Sequence, residues 1–319
     1  MKATAVAHPI QGLVKYHGLA DPLLRLPYHD SISVCTAPLS TRTTIEFGDF
    51  PSDTAAIDGR PVGGHEMQGV LSVVDPVRAR AKLRSRFRMA SVNDFPSNVG
   101  LGASASGFAA LALASSAAAG LDLDPQELSR IARRGAGSAS RAVTGAFSKW
   151  KMGVADEDSF AVQLAGTDFQ IAMVVALVPA YKETEDAHRE ATTSPFFHAR
   201  LAEMPRLIAE MELAIRGRDV GAVCAIAERD TLMLHGITMT GAGEMVLWRP
   251  DTLRVILAVK TMREEGVPAF FSIDTGATVY VNTFPDRGAE VEARIRELGI
   301  ETIRCTVGGP ARLAGDPLF

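Results

Sequence analysis

The chain has 319 residues, 47% hydrophobic and 22% charged, which excludes a disordered or fibrous protein and suffices for one large or two smaller globular units. Its 33 lysines and arginines against 37 acids give a net charge of −4, so no global basic character speaks for nucleic acid, and an anionic ligand needs positive charge gathered in one site. The longest clean apolar run, 171–180, is far short of the ~18–20 residues of a membrane span. Residues 4–8, 12–16, 31–36 and 41–47 alternate apolar with polar, as half-buried strands do. Asp58-Gly59 marks a hairpin turn. Residues 64–81 have helical spacing, with Met67, Val70, Leu71 and Val74 on one face. The basic run from Arg78 to Arg88 alternates in its second half and reads as a solvated edge strand protected by charge. A glycine- and serine-rich loop, 94–107, leads into 108–120, a strong helix former ended by Gly120. Asp124-Pro125 caps and starts the next helix. Residues 171–178 form a buried strand, and 194–228 and 250–265 are helical. Strands 270–274 and 278–282 flank the turn Asp274-Thr275-Gly276-Ala277, before a helix at 290–298 and a last strand at 302–307. This order is α+β rather than regular βαβ repetition, with a boundary near residue 180 that separates 1–180 from 181–319.

No secretory signal is visible at the N-terminus, which fits a cytoplasmic protein. Cys35, Cys224 and Cys305 are widely spaced and form no CxxC pair, so they read as buried reduced thiols rather than a disulfide or zinc framework. The seven histidines show no HxxxH or HxH pair, and no metal cluster is expected among them.

The loop before the alanine-rich helix carries the most chemistry. Gly100 and Gly102 permit close backbone approach and positive φ, and the helix that follows presents unpaired N–H groups and a positive dipole end. Ser97, Ser104 and Ser106 add hydroxyls, or a ligand for a magnesium ion. A chain of net negative charge can hold a triphosphate in this way. The spacing Gly100-x-Gly102-x-x-Ala105 also fits a dinucleotide fingerprint, but it lies a hundred residues in, behind Pro96, and a Walker A loop would need a lysine that is missing. A turn with no ligand needs fewer glycines and serines than are present.

Pro96-Ser-Asn-Val-Gly-Leu-Gly-Ala-Ser-Ala-Ser-Gly107 resembles the phosphate loop of the GHMP kinase superfamily. Asn93-Asp-Phe-Pro96 with Ala105-Ser-Gly-Phe-Ala-Ala-Leu111 is similar to the mevalonate diphosphate decarboxylases within it. Lys15-Tyr-His-Gly18, Leu26-Pro-Tyr-His-Asp-Ser-Ile-Ser-Val34, Arg134-Gly-Ala-Gly-Ser-Ala-Ser-Arg141, Asp158-Ser159, Thr193-Ser-Pro-Phe-Phe197 and Ser272-Ile-Asp-Thr-Gly-Ala277 resemble that family's other segments in the same order. The resemblance implies a two-domain GHMP-kinase-type α+β fold with the active site in the cleft between domains, and a homodimer. It implies ATP held by Ser97, Asn98, Gly100, Gly102, Ser104 and Ser106, with Mg²⁺ brought by the nucleotide near Ser104. It implies Asp274, Lys15 and Arg141 as catalytic residues, and substrate contacts from Tyr16, His17, Ser138, Arg141 and Lys182. The family reaction phosphorylates a tertiary hydroxyl with ATP, then expels phosphate and carbon dioxide to leave an alkene. Asp274 would orient or deprotonate the hydroxyl, Lys15 would neutralise developing charge, and Arg141 would hold the carboxylate that leaves.

Two departures bear on the substrate. Where the family reads Lys-Tyr-Trp-Gly-Lys, this chain has Lys15-Tyr16-His17-Gly18-Leu19, and a stretch expected to offer phosphate-binding hydroxyls reads Lys182-Glu183-Thr184-Glu185-Asp186. A site that loses a cation and gains acids disfavours a diphosphate. His8-Pro-Ile-Gln-Gly-Leu-Val-Lys-Tyr-His-Gly18 and Pro179-Ala-Tyr-Lys-Glu-Thr-Glu185 resemble the phosphomevalonate decarboxylase branch, which converts mevalonate 5-phosphate into isopentenyl phosphate. Lys182, Arg189 or His17 would then hold the single phosphate. The alternatives are a diphosphomevalonate decarboxylase, a mevalonate 3-kinase that needs only the phosphorylation half, and a GHMP-fold binding protein without catalysis, which the joint presence of Lys15 and Asp274 argues against.

Overall fold

The computed structural model describes the chain except residues 97–99 and 181–183. The first half runs β1 (Lys2–Ala7), β2 (Ile10–Val14), β3 (Leu19–Asp21), β4 (Leu26–Pro27), β5 (Ser31–Ala37), β6 (Thr41–Gly48), β7 (Thr54–Ile57), β8 (Arg60–Pro61), α1 (Gly64–Ala81), β9 (Arg86–Asn93), α2 (Ala103–Ala118), α3 (Pro125–Gly135), α4 (Ala139–Thr144), β10 (Phe147–Trp150), β11 (Ala161–Ala165) and β12 (Ala172–Ala176). The second runs α5 (Thr184–Thr192), α6 (Phe197–Arg216), α7 (Val220–Met239), α8 (Pro250–Glu264), β13 (Ala269–Ser272), β14 (Val279–Thr283), α9 (Gly288–Arg296), β15 (Thr302–Val307) and β16 (Arg312–Leu313).

The strands form one sheet in the order β16-β1-β6-β9-β7-β8, another in the order β11-β10-β5-β15-β12-β14-β13 with β2 alongside β5, and a small β3–β4 hairpin. Strand β15 pairs with both β12 and β5, and β16 with β1, so the end of the chain returns to its beginning. Asp58 and Gly59 both have positive φ, 49° and 76°, as the two-residue turn between β7 and β8 requires. The basic strand is not an edge. β9 lies between β6, antiparallel, and β7, parallel. Phe87 and Met89 face the core while Arg86 and Arg88 face solvent opposite Asp53 and Glu46, so the alternation records a sheet wet on one face.

Helix α2 starts at Ala103, within a residue of the start expected near Ser104, and Gly102 turns directly into it. Its alanines let it lie against β1 and β6, with Ala105, Ala109 and Ala112 fully buried. Asp124 caps α3 as expected, accepting the Glu127 N–H at 2.9 Å. The helical stretch expected at 194–228 is two helices. Gly217 and Arg218, the latter at φ 55°, end α6, and Asp219 caps α7 through the Ala222 N–H. β10, β11 and α5 had no clear periodicity.

Candidate active site

Strand β2 delivers Lys15-Tyr16-His17 to a cavity of about 240 Å³ that the turn after β13 and the start of α2 also line. Gly12 allows the approach. Its N–H donates to Asp274 Oδ1 at 3.0 Å, and a Cβ there would stand 2.9 Å from that oxygen and 2.7 Å from Lys15 Cγ. The Asp274 carbonyl faces His235 Nε2 of α7 at 2.9 Å, so that nitrogen carries the proton, and the turn is held from both sides.

Behind Lys15 stands a charged network the sequence reading missed. Asp230 of α7 is fully buried and accepts the Lys15 N–H at 2.9 Å, while Lys15 Nζ lies 3.5 Å from its carboxylate and 3.0 Å from Thr231 Oγ1. Arg200 of α6 donates to Asp230 Oδ1 at 2.7 Å and to the Lys15 carbonyl at 2.8 Å. Burial lowers the Lys15 pKa against the opposing pull of Asp230 and Asp274. Burial would raise Asp230, but Arg200 and Lys15 outweigh it and hold the carboxylate ionised. The signal was present, an aspartate on an apolar helix face one turn before Leu234 and His235, but its partner Lys15, just past β2, is 215 residues away.

Arg141 sits on α4, 3% exposed, and donates to Ser31 Oγ. Its guanidinium carbon lies 5.6 Å and 5.9 Å from the ring centres of Tyr16 and Trp150, and its Nε is buried with no partner. Burial lowers its pKa to about 10, against Tyr16 and Asp274, so it is charged at neutral pH. Ser138 lines the same cavity. Gly137 leaves room for Tyr16, whose hydroxyl a Cβ would meet at 2.4 Å. Tyr16 stacks on His188 of α5 at 5.0 Å, and His188 Nδ1 accepts the Gly18 N–H at 3.1 Å. His17 Nε2 lies 3.4 Å from Thr275 Oγ1. Ser159 takes the Trp150 indole N–H, which places the Asp158-Ser159 motif in support of the aromatic wall.

At the other wall, Gly100 and Gly102 have φ 85° and 73°, and a Cβ on Gly102 would stand 3.2 Å from the Ile10 carbonyl. Helix α2 opens here with no side-chain cap and no acid in its first turn, and Gly100, Gly102 and Ser104 line the cavity. An uncapped helix N-terminus with close backbone approach fits nucleotide phosphates.

The cavity therefore unites Lys15, Tyr16, His17, Gly100, Gly102, Ser104, Ser138, Arg141 and Asp274. Ser97, Asn98 and Lys182 lie outside the described residues. Ser106 does not face the cavity. It is fully buried, its hydroxyl tied to Thr41 Oγ1 and the Ala103 carbonyl, so it anchors α2 to β6. Arg189 pairs with Asp186 on the exposed side of α5. Leu19 packs against the Tyr16, Trp150 and Ala161 cluster. Glu185, read as an added negative charge, is instead paired with Arg25 at 2.7 Å. The three cysteines are buried thiols, and burial pushes Cys35 and Cys305 up to about 12. Among the described residues no three His, Cys, Asp or Glu side chains group to hold a metal, and no helix is long and apolar enough to cross a membrane.

Residues 7–161 match the family model of the diphosphomevalonate decarboxylase-like N-terminal domain. The chain is 50% identical over 317 residues to the phosphomevalonate decarboxylase of Haloferax volcanii, covering 98% of each. It is 31% identical to the diphosphomevalonate decarboxylase of Eremothecium gossypii over 76% of this chain and 67% of that one. Mevalonate diphosphate decarboxylase from Staphylococcus aureus has the same fold, with a TM-score of 0.92, 28% identity and 98% of each chain covered. So does a structure described as MDDEF in complex with MVAPP, AMPPCP and magnesium, with a TM-score of 0.92, 28% identity and 99% of each chain covered.

Proposed function

The chain belongs to the diphosphomevalonate decarboxylase-like family, of GHMP kinase fold, and within it we propose an ATP-dependent decarboxylase of mevalonate 5-phosphate that releases isopentenyl phosphate, ADP, phosphate and CO₂. The observation that carries the reading is Arg141, a buried guanidinium with an unpartnered Nε, in one cavity with Asp274 and an uncapped helix N-terminus. A carboxylate, a hydroxyl and a polyphosphate are the groups such a cavity accommodates.

Gly100, Gly102 and the first turn of α2 would hold the nucleotide's phosphates, and Ser104, which lines the same cavity, would offer its hydroxyl to the magnesium ion they carry. Mg·ATP bound there supplies the phosphoryl group that makes the tertiary hydroxyl a leaving group. Asp274, oriented by the Gly12 N–H, positions that hydroxyl and accepts its proton at the carboxylate. The Lys15 ammonium, held by Asp230 and Thr231, offsets the negative charge that develops beside it. Arg141 grips the substrate carboxylate, with Ser138 and Tyr16 beside it. As phosphate departs, the bond to the carboxylate breaks and its electron pair forms the alkene.

Preference for the monophosphate rests on Leu19, which offers no cation, and on the high identity to the Haloferax volcanii enzyme. The half up to residue 180 supplies the phosphate loop, Lys15 and Arg141, and the half from 181 supplies Asp274 and Asp230. The enzyme works in the cytoplasm as a homodimer, and light scattering that returns a monomer mass would overturn the dimer. Product analysis after incubation with Mg·ATP and mevalonate 5-phosphate tests the function. Equal amounts of ADP and isopentenyl phosphate are expected. A phosphorylated acid without alkene would make it a kinase, and no ADP would make it a binding protein.

A further inference from the structure

Arg25 ends the turn between β3 and β4 with its backbone in the left-handed region, at φ 53°, where residues other than glycine are uncommon. Its side chain is 18% exposed. Its Nη2 donates to Glu185 Oε1 at 2.7 Å, burial of the guanidinium is outweighed by nearby Tyr16 and Glu185, which favour its charged form, and its Nε is buried without a partner. Tyr16 lines the active-site cavity, and Arg25 is a charged neighbour of Tyr16 outside that lining. A guanidinium has five N–H donors in a planar fork, and Glu185 takes only part of that capacity.

Glu185 is 45% exposed and lies in the first turn of α5. Three residues on, the same helix brings His188 to the cavity, against Tyr16 and the Gly18 N–H. Helix α5 is thus joined to the β3–β4 hairpin through the Arg25–Glu185 pair. The same hairpin begins with Leu19, which carries no charge.

We infer that Arg25 is the residue that takes the substrate's phosphate, and that Glu185 is its partner at rest and the group that disfavours a second phosphate. This rests on the decarboxylase reading above. A phosphate monoester offers the fork two oxygens in place of the Glu185 carboxylate. A diphosphate would set its outer phosphate beside the displaced carboxylate, and the like charges repel.

The test measures kcat and KM for mevalonate 5-phosphate and 5-diphosphate with wild type, Arg25→Gln, Arg25→Lys and Glu185→Gln, together with binding of mevalonate 5-phosphate by calorimetry without ATP. Losing one charge-assisted fork should raise KM and Kd for the monophosphate about 10–100-fold in Arg25→Gln, with kcat within about threefold, the KM for ATP unchanged, and Arg25→Lys between. Glu185→Gln should raise kcat/KM for the diphosphate relative to the monophosphate by about tenfold or more. A monophosphate KM and Kd in Arg25→Gln equal to wild type, or a loss confined to kcat, overturns the role of Arg25. An unchanged substrate ratio in Glu185→Gln overturns the role of Glu185. Wild type that binds the monophosphate without turning it over overturns the decarboxylase reading instead, and Kd then still judges Arg25.

Discussion

Asp274 is held through its Oδ1 by the Gly12 N–H and through its carbonyl by His235, so its charge can be removed without disturbing its place. Asp274→Asn keeps an acceptor for Gly12 but loses the base. We expect kcat to fall about 10²–10⁴-fold with the melting temperature within a few degrees of wild type. Near-normal turnover by the folded variant would remove Asp274 from the chemistry. Arg141 separates the two halves of the reaction. Arg141→Gln should slow alkene release more than ADP release, because the guanidinium grips the group that leaves as CO₂. Equal loss of both products would make it a general binding residue. His29 reports on pH. It is buried, donates from Nδ1 to the Asp30 carbonyl at 2.6 Å, and burial, with Arg200 nearby, lowers its pKa from 6.5 to about 4. The folded state resists protonation there, so the unfolded chain binds the extra proton between those values. The contribution is whole above pH 6.5 and is lost as pH falls toward 4, a difference of about 3 kcal/mol. Urea unfolding of wild type should therefore weaken more steeply over that window than unfolding of His29→Gln. Parallel profiles would contradict a neutral buried imidazole.

At the scale of elements, the start of α2 joins stability to binding with opposite signs. An acid in its first turn would favour the helix by about 0.3–1 kcal/mol and repel the nucleotide's phosphates. Ala103→Asp should hold or raise the melting temperature while raising the KM for ATP about tenfold or more. An unchanged KM would place the phosphates elsewhere. This loop was legible because glycines, serines and a following helix former are contiguous, and so was the Asp274 turn between two strands. Ser106 was misjudged because sequence shows a hydroxyl near the loop but not that Thr41 of β6 takes it up. Asp230, Arg200 and Arg25 stayed hidden because each acts through partners far along the chain, 215 residues in the case of Asp230 and Lys15. The acidic stretch that opens α5 shows in the sequence only as net charge, and only the fold brings Arg25 to Glu185 across 160 residues.

For the whole molecule, the alternation of strands and helices indicated an α+β fold, but neighbours in the sheets were not legible. A charged alternating strand proved internal, and the last strands close onto the first through β15–β5 and β16–β1. The turn bearing Asp274 reaches the segment bearing Lys15 because α7 packs on both β2 and β13 and Gly12 bonds Ser272 and Asp274, so the site depends on the assembled chain. The central claim is that this cavity decarboxylates a substrate carrying one phosphate. It is tested most directly by kcat/KM for mevalonate 5-phosphate and for its 5-diphosphate under the same Mg·ATP. With no cation at Leu19 and a carboxylate at Glu185, we predict a preference for the monophosphate of about a hundredfold or more, about 3 kcal/mol. Equal values, or a preference for the diphosphate, would contradict it.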